Sequence, residues 1–303
     1  MKMNESAIEI EGLEFSYGRN KVLKGVDLNV PAGSIFGFLG RNGAGKTTTI
    51  KLLLGLFKPA GGFCRVGGLD PQTDSIAVRR TVGYMAEDQQ MYGWMRIGQI
   101  IKWVASFYPG WDDKFTNKLL DMLELPKRKK VKSLSKGQNS RLALLLALGH
   151  RPKVVILDDP TLGLDPIARK DFLRYVISLL QTNGVTVFFS SHLLYEIEPV
   201  VDYVAILKEG VIVKSETTEQ LRRSVKKLVL RGAGEIKPNS VEGVLDIERV
   251  GDRIAVTVED CDDGKRSAVE KKMGSDIIRE VDLNLDEIFE AYVIGNRGEA
   301  VSA

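Results

Sequence analysis

Short apolar runs recur along the first two thirds of the chain, with amphipathic stretches between them. The runs lie at residues 35–39, 154–158, 185–190 and 203–207. Continuous apolar runs of this length are typical of strands buried on both faces of a parallel sheet. Their alternation with helical stretches predicts an α/β fold whose mainly parallel sheet is covered on both sides.

The pattern changes at the N-terminus and again in the middle of the chain. Residues 7–11 and 26–30 are expected strands, and 61–68 resembles a further strand between turns, so we predict an N-terminal antiparallel β subdomain. Residues 92–135 lose the strand pattern. There Ile97, Ile100, Ile101, Val104 and Phe107 recur at helical spacing, which predicts an inserted helical subdomain over about residues 90–150.

The last part of the chain carries a third pattern. Residues 241–258 alternate around Gly251-Asp252 as a hairpin does, residues 276–283 resemble a strand, and Asn284 is placed to cap a final helix. We therefore predict a main domain over residues 1–220 and a small α+β extension over residues 221–303. The extension is interpreted either as a spacer that stabilises a dimer or as a regulatory domain.

Composition argues against a membrane-spanning, secreted or nucleic-acid-binding protein. The 303 residues are 44% hydrophobic and 27% charged, which are ordinary globular values. No stretch approaches eighteen uninterrupted apolar residues, and the N-terminus lacks the apolar core of a secretory signal. We therefore expect a cytoplasmic chain; if it acts on a membrane, a separate protein must supply the spanning helices. The net charge of +3 is too small to indicate nucleic acid as a partner, and Cys64 and Cys261 are expected to be free thiols.

The most informative motif runs from Gly40 to Thr47 and fits G-x-x-x-x-G-K-[ST] between an expected strand and an expected helix. Its glycines let backbone N–H groups converge on an anion, and the helix N-terminus adds partial positive charge. Lys46 is expected to reach the outer phosphates, and the Thr47 hydroxyl to bind Mg²⁺. The sequence thus predicts a nucleoside triphosphate site formed by Gly40, Asn42, Gly43, Ala44, Gly45, Lys46, Thr47 and Thr48.

Two further segments complete the expected site. The apolar run 154–157 ends in Asp158 and Asp159, so a central strand would place Asp158 to hold Mg²⁺ and Asp159 to polarise an attacking water. The segment 134–138 begins a second helix that could bind an anion, with Ser135, Gly137 and Gln138 at its start. Because the chain's own phosphates are already assigned to Lys46, we expect this helix start to contact the nucleotide of a second subunit.

These motifs together resemble the ATP-binding cassette (ABC) family over about residues 6–220. Residues 134–138 resemble the family's LSGGQ signature, with Lys136 in place of the first Gly. The resemblance implies ATP as the nucleotide. It also implies that Tyr17 stacks on adenine, although the same ring could simply be a packed strand aromatic.

The resemblance assigns three more residues. Glu87 matches the Q-loop position, where Gln is usual, and would contact the metal and the reacting phosphate. His192 matches the switch histidine and would contact the γ-phosphate. Asp159 stands where the family normally has Glu. Its shorter side chain predicts slow hydrolysis.

For function, the resemblance implies an ATP-hydrolysing subunit of an ABC transporter. Two copies, or one copy and a paralogous ATPase, would close on ATP and drive an integral membrane permease from the cytoplasmic face of the membrane. The C-terminal extension favours the bacterial export type. The alternatives are a slow-hydrolysing regulatory clamp and a soluble ABC ATPase that acts on nucleic acid or ribosomes. The second is disfavoured because Lys46 and Ser135 are 89 positions apart (135 − 46), with no sustained heptads between them.

Two surface features keep two interpretations each. Tyr92 and Trp94 follow Glu87 and would form a groove for a permease helix, belong to the core of the helical subdomain, or do both. The basic run 127–132 is either a solvated face or a contact for anionic lipid headgroups.

Overall fold

A computed structural model describes residues 6–180, 184–191, 198–231 and 241–295. The strands are β1 (Ser6–Tyr17), β2 (Asn20–Pro31), β3 (Ile35–Gly40), β4 (Gly61–Val66), β5 (Val82–Met85), β6 (Val154–Asp158), β7 (Thr186–Ser191), β8 (Tyr203–Lys208), β9 (Val211–Thr217), β10 (Lys226–Arg231), β11 (Val244–Val250), β12 (Arg253–Val258) and β13 (Ile277–Asp282). The helices are α1 (Lys46–Leu53), α2 (Ser75–Thr81), α3 (Ile97–Ala105), α4 (Asp113–Met122), α5 (Lys136–Leu148), α6 (Pro166–Leu180), α7 (Thr218–Ser224), α8 (Asp263–Met273) and α9 (Leu285–Ile294), with a 3₁₀ turn at Val131–Ser133.

The central sheet has six strands in the order β5-β6-β7-β3-β8-β9. Every neighbouring pair is parallel except β8 and β9. The register pairs Leu39 with Ser191 and Asp158 with Ser190, so the carboxyl ends of β3, β6 and β7 lie at one edge. That edge is where ligands bind in open parallel sheets. The predicted parallel α/β core is confirmed.

A separate three-stranded antiparallel sheet, in the order β2-β1-β4, forms the predicted N-terminal subdomain. Its apolar face shares one core with one face of the central sheet, where Phe36 stacks on Phe188 at 5.9 Å between ring centroids. The opposite face of the central sheet is covered mainly by α5 and α6.

The helical subdomain lies between β5 and β6, as expected, and consists of α3, α4, the 3₁₀ turn and α5. Ile97, Ile100 and Ile101 are buried. Phe107 continues their spacing but lies beyond the end of α3 and is exposed. Within the described ranges, no helix is long and apolar enough to span a bilayer.

The C-terminal part combines a four-stranded antiparallel sheet, in the order β11-β12-β10-β13, with α8 packed on it. The hairpin around Gly251, the strand after 276 and the Asn284 cap all occur as predicted. The helix α9 then returns to the main core, where Ile288 and Val293 share a cluster with Val204 and Ile206 of β8. A boundary at 220/221 would fall inside α7, so the division into two domains stays a prediction.

Candidate nucleotide-binding site

The phosphate-binding loop joins β3 to α1 in a conformation that requires glycine. Gly43 and Gly45 have φ values of +83° and +115°, in the left-handed region that L side chains rarely adopt. A Cβ at Gly45 would also lie 2.7 Å from Leu23 Cδ2, and a Cβ at Gly40 would lie 2.8 Å from the Leu207 carbonyl oxygen. The loop can therefore turn directly into α1, whose N-terminal amides face the expected phosphate position.

Lys46, the first residue of α1, is only 5% exposed and is held by groups of its own chain. Its Nζ donates a hydrogen bond to the Gly40 carbonyl oxygen at 2.8 Å and lies 3.6 Å from Asp159 Oδ2. An ammonium buried to this degree needs such compensation. A triphosphate in the loop would supply the same negative charge.

Asp158 is fully buried at the carboxyl end of β6. The Ser190 hydroxyl donates to its Oδ1 at 3.0 Å, whereas no donor is within hydrogen-bond geometry of its buried Oδ2. Burial raises the pKa of Asp158; the hydroxyls of Ser190 and Thr47 oppose that shift, and the charges of Asp159 and Glu87 add to it.

The side chains around Asp158 fit Mg²⁺. A buried carboxylate oxygen without a donor and the hydroxyl of Thr47 are hard oxygen ligands, which this ion prefers. Among the described residues, no three His, Cys, Asp or Glu side chains are grouped to hold a metal. Mg²⁺ usually takes one or two protein ligands and completes its shell with phosphate and water.

Asp159 has a left-handed backbone, with φ at +40°. Its N–H donates to the Ser190 carbonyl oxygen and its own carbonyl accepts from the Leu162 N–H, both at 3.0 Å. Asp and Asn tolerate this conformation better than most residues with a Cβ. The carboxylate is thereby turned towards Lys46, beside the expected phosphates.

Tyr17 and Glu87 lie at the margins of the loop. The Tyr17 ring is about half exposed, packs edge-to-face on Phe15 and Phe57, and brings its hydroxyl 3.5 Å from Thr48 Oγ1. Glu87 is exposed in the turn after β5, and its charge raises the pKa of Asp158. His192 lies outside the described residues.

The signature segment is built separately from the phosphate loop. Ser135 caps α5 by accepting a hydrogen bond from the Gln138 N–H at 3.2 Å, and Gln138 Oε1 accepts from the Ser135 N–H and from Lys129 Nζ. Ser135 is exposed. Within the described part of the chain, no hydrogen bond or ion pair joins residues 134–138 to residues 40–48.

Contacts of Lys136 and Gly137 attach the signature to the turn after β6. Lys136 Nζ lies where a Cβ of Gly163 would be, so the lysine occupies space that only glycine leaves open. Gly137 faces Ala168, and a Cβ at Gly137 would lie 3.3 Å from the Ala168 Cβ.

Two contacts were not predicted from the sequence: the contact of Lys136 with Gly163, and the hydrogen bond from Ser190 to Asp158. Ser190 could have been found, because it lies one residue before the end of β7, a buried strand next to β6.

Tyr92 and Trp94 are 50% and 67% exposed. Their rings contact each other at 6.1 Å between centroids, and Tyr92 packs edge-to-face on Trp103. The interpretation that both belong to the core of the helical subdomain is wrong. Both rings therefore leave apolar area uncovered on the subdomain surface.

Comparison with known proteins agrees with this geometry. Residues 23–162 match the sequence model of the family described as ABC transporter. The chain is 36% identical over 222 residues to the bacitracin transport ATP-binding protein BcrA of Bacillus licheniformis, covering 73% of this chain and 72% of that protein. It is 27% identical over 291 residues to the ABC transporter ATP-binding protein YtrB of Bacillus subtilis, covering 96% of this chain and 99% of that one.

A solved structure described as an ATP binding subunit of an ABC transporter shares the fold. Its TM-score is 0.65 at 28% identity, over 72% of this chain and 92% of that one. The phosphate loop, the buried Asp158 and the capped signature helix therefore occur in a chain whose sequence and fold are similar to those of known ATP-binding subunits. This chain belongs to the ABC transporter family, as an ATP-binding, ATP-hydrolysing subunit.

Proposed function

We propose that two copies of this chain close on two ATP molecules and drive a separate membrane permease, as the motor of an exporter. The observation that carries the proposal is the contrast between Lys46, enclosed by its own chain, and Ser135, an exposed helix start apart from it. A two-fold arrangement would place Ser135 of each copy over the phosphates bound at Lys46 of the other.

ATP binding would begin at residues 40–48. The phosphates would replace Asp159 as the partner of Lys46, and Tyr17 would stack on adenine beside Thr48. Thr47, Asp158 and Glu87 would hold Mg²⁺, which when bound would neutralise charge on the phosphoryl oxygens. Ser190 keeps one oxygen of Asp158 occupied and leaves Oδ2 for the metal shell.

Hydrolysis would use the carboxylate released from Lys46. Asp159 would accept a proton from a water whose oxygen bonds to the γ-phosphorus, while the bond between that phosphorus and the ADP oxygen breaks. His192 would contact the γ-phosphate. Ser135, Gly137 and Gln138 of the second copy would complete the donors around it, which explains why one copy alone would bind ATP without turning it over.

A role in transport is supported by the names of two relatives, and export by the C-terminal part. Relatives are described as a bacitracin transport protein and as a probable multidrug transporter protein of Escherichia coli. The C-terminal part falls within the stretch aligned to YtrB, which covers nearly the whole of both chains. The resemblance associates such extensions with export-type cassettes. The alternatives of a soluble cassette or a slow regulatory clamp are not favoured by these relatives.

The proposal is tested by purifying the full chain from its own cells and measuring turnover with and without the co-purifying protein. We expect a polytopic membrane protein to be retained and to raise ATP hydrolysis. ATP should also convert the isolated chain from monomer to dimer in light scattering. Retention of ribosomes instead, or full hydrolysis by a monomer, would overturn the proposal.

A further inference from the structure

The positive charge of this nearly neutral chain is concentrated on the helical subdomain. The whole sequence has 43 Lys or Arg against 40 Asp or Glu. Residues 91–107 and 125–138 together contain eight Lys or Arg and no Asp or Glu. This part of the surface therefore differs sharply in charge from the chain average.

The two segments run side by side, although they are distant in sequence. The Ile97 N–H donates to the Lys129 carbonyl at 3.0 Å and the Gly98 N–H to the Lys127 carbonyl at 2.9 Å. The Val131 N–H in turn donates to the Met95 carbonyl oxygen at 2.9 Å. Backbone hydrogen bonds thus hold the basic run against the start of α3 and the turn before it.

The aromatic residues form an exposed row. Trp103 packs edge-to-face on Phe107 at 5.1 Å and on Tyr92 at 5.2 Å between centroids. Trp103 is 42% exposed and Phe107 is 57% exposed. We call the exposed cations and aromatic residues of the two paired segments the basic–aromatic face: Arg96, Lys102, Trp103, Phe107, Lys127, Arg128, Lys130 and Lys132.

The cations of this face are not neutralised within the described part of the chain. None of them is in an ion pair there; Lys127 Nζ donates to Asn117 Oδ1, and Arg96 Nη1 donates to the Arg128 carbonyl. A solvated face would normally mix both signs of charge. A one-signed surface with exposed Trp and Phe side chains has the chemistry of a contact with anionic lipid headgroups.

We propose that the basic–aromatic face binds the surface of an anionic bilayer directly. Lys and Arg would contact the phosphates, and Trp103 and Phe107 would enter the headgroup region. This contact is independent of the proposed permease, which is expected at the adjoining residues Tyr92 and Trp94. It would hold the subunit at the membrane even before it meets its partner.

The test uses the full chain without any permease, and vesicles of phosphatidylcholine alone or mixed with phosphatidylglycerol. We expect co-sedimentation with the mixed vesicles only, and binding that weakens as salt is added. Each cation near an anionic surface contributes about fivefold in affinity, so Arg128→Gln with Lys130→Gln should weaken binding about twenty-five-fold. The matched control, Lys271→Gln with Lys272→Gln in α8, changes the net charge equally on another surface.

The double variant Trp103→Ser with Phe107→Ser distinguishes the aromatic contribution to vesicle binding from the charge contribution. This pair should also weaken vesicle binding, while the remaining binding keeps its dependence on salt. Equal weakening by the α8 control would show a non-specific charge effect and overturn the proposal. Equal binding to neutral vesicles would overturn it too. Failure to bind any vesicle, together with loss of permease association in the Arg128 and Lys130 variant, would assign the face to a protein partner.

Discussion

The central sheet and the inserted helical subdomain carry their functional side chains in opposite ways. In the sheet region, Lys46, Asp158 and Asp159 are buried, and each has a partner from the same chain. In the helical subdomain, Ser135 and Trp94 are exposed. Local hydrogen bonds, such as the capping box at Ser135, maintain the shape of this surface without covering it.

This difference shows which steps one copy performs alone. A buried and compensated phosphate loop is organised before ATP arrives, so binding needs little from outside. An exposed helix start gains a partner only from another molecule. We therefore expect changes in the sheet region to alter chemistry, and changes in the helical subdomain to alter association.

The sharpest test of this comparison is Ser135→Arg. A bulky cation at the exposed helix start would block the second copy, so ATP-dependent dimerisation and hydrolysis should both be abolished. ATP affinity of the monomer should stay within about twofold, because Ser135 does not touch its own phosphate loop. Light scattering, turnover and nucleotide titration measure the three quantities. A monomeric variant with normal turnover would break the comparison.

The next largest effect is expected at Asp159. Replacing Asp159 by Asn removes the base and should lower hydrolysis on the order of a hundredfold, while ATP binding and dimerisation persist. Asn also accepts the left-handed backbone, but it removes the charge that compensates the buried Lys46, so the melting temperature without ATP should fall. Steady-state hydrolysis and the lifetime of the ATP-bound dimer are the measurements.

The paired variant Asp159→Glu measures the effect of side-chain length. A Glu carboxylate should lie roughly 1–1.5 Å closer to the attacking water, and misplacement on that scale can cost about a hundredfold. We expect faster hydrolysis and a shorter-lived dimer. The left-handed backbone opposes part of this gain, because Glu tolerates it less well than Asp. An Asn variant as active as the original chain would show that Asp159 is not the base.

A smaller effect, on the pH dependence of stability, is expected at His150, at the end of the helical subdomain. His150 follows α5, is buried and stacks on Tyr108 at 4.1 Å between ring centroids. Burial lowers the pKa of His150 to about 4, and a contact with the Val82 backbone only partly opposes this. Because the unfolded chain binds this proton more readily, stability is complete above about pH 6.5 and falls as pH drops towards 4.

Chemical denaturation between pH 7 and pH 4.5 measures that loss. Allowing for solvent screening, we expect about 1–2 kcal/mol of the pH-dependent loss to come from His150. His150→Phe keeps an aromatic ring against Tyr108 and should remove this part of the dependence. If the variant lost as much stability between pH 7 and pH 4.5 as the original chain, protonation of His150 would not be the cause of the loss.

The smallest effect on stability is expected at Tyr92 and Trp94. Both rings are exposed, so Tyr92→Ala with Trp94→Ala should change the free energy of unfolding by no more than about 0.5 kcal/mol. Association with the permease should nevertheless weaken. Thermal unfolding and co-purification measure the two effects. A large fall in melting temperature without a change in association would reverse our assignment of this surface.

The sequence was most informative where one residue type satisfies one backbone requirement. Gly45 and Lys46 mark a strand–loop–helix junction because few other residues fit it, and the Asn284 cap appears where predicted. Apolar run length likewise predicted β3 and β6. The exposure of Tyr92 could not be decided from sequence, since helical spacing describes neighbours along a helix and not what covers its surface.

Long-range contacts were also beyond the sequence. The left-handed backbone at Asp159 depends on its bonds to Ser190 and Leu162, and neither residue type dictates it. Lys136 lies over Gly163 because two segments 27 positions apart (163 − 136) happen to meet. The small extension was recognised as α+β, but nothing in its pattern showed that α9 returns to the main core.

That return of α9 sets an order for folding during synthesis. Ile206 of β8 is buried in the cluster that Leu285 joins, and Lys208 Nζ donates to the Tyr292 carbonyl at 2.9 Å. These partners are separated by about eighty positions, which a ribosome adds in roughly 4–16 s. For that interval, the apolar face of β8 is made but uncovered on the nascent chain, and chaperones have time to act on it.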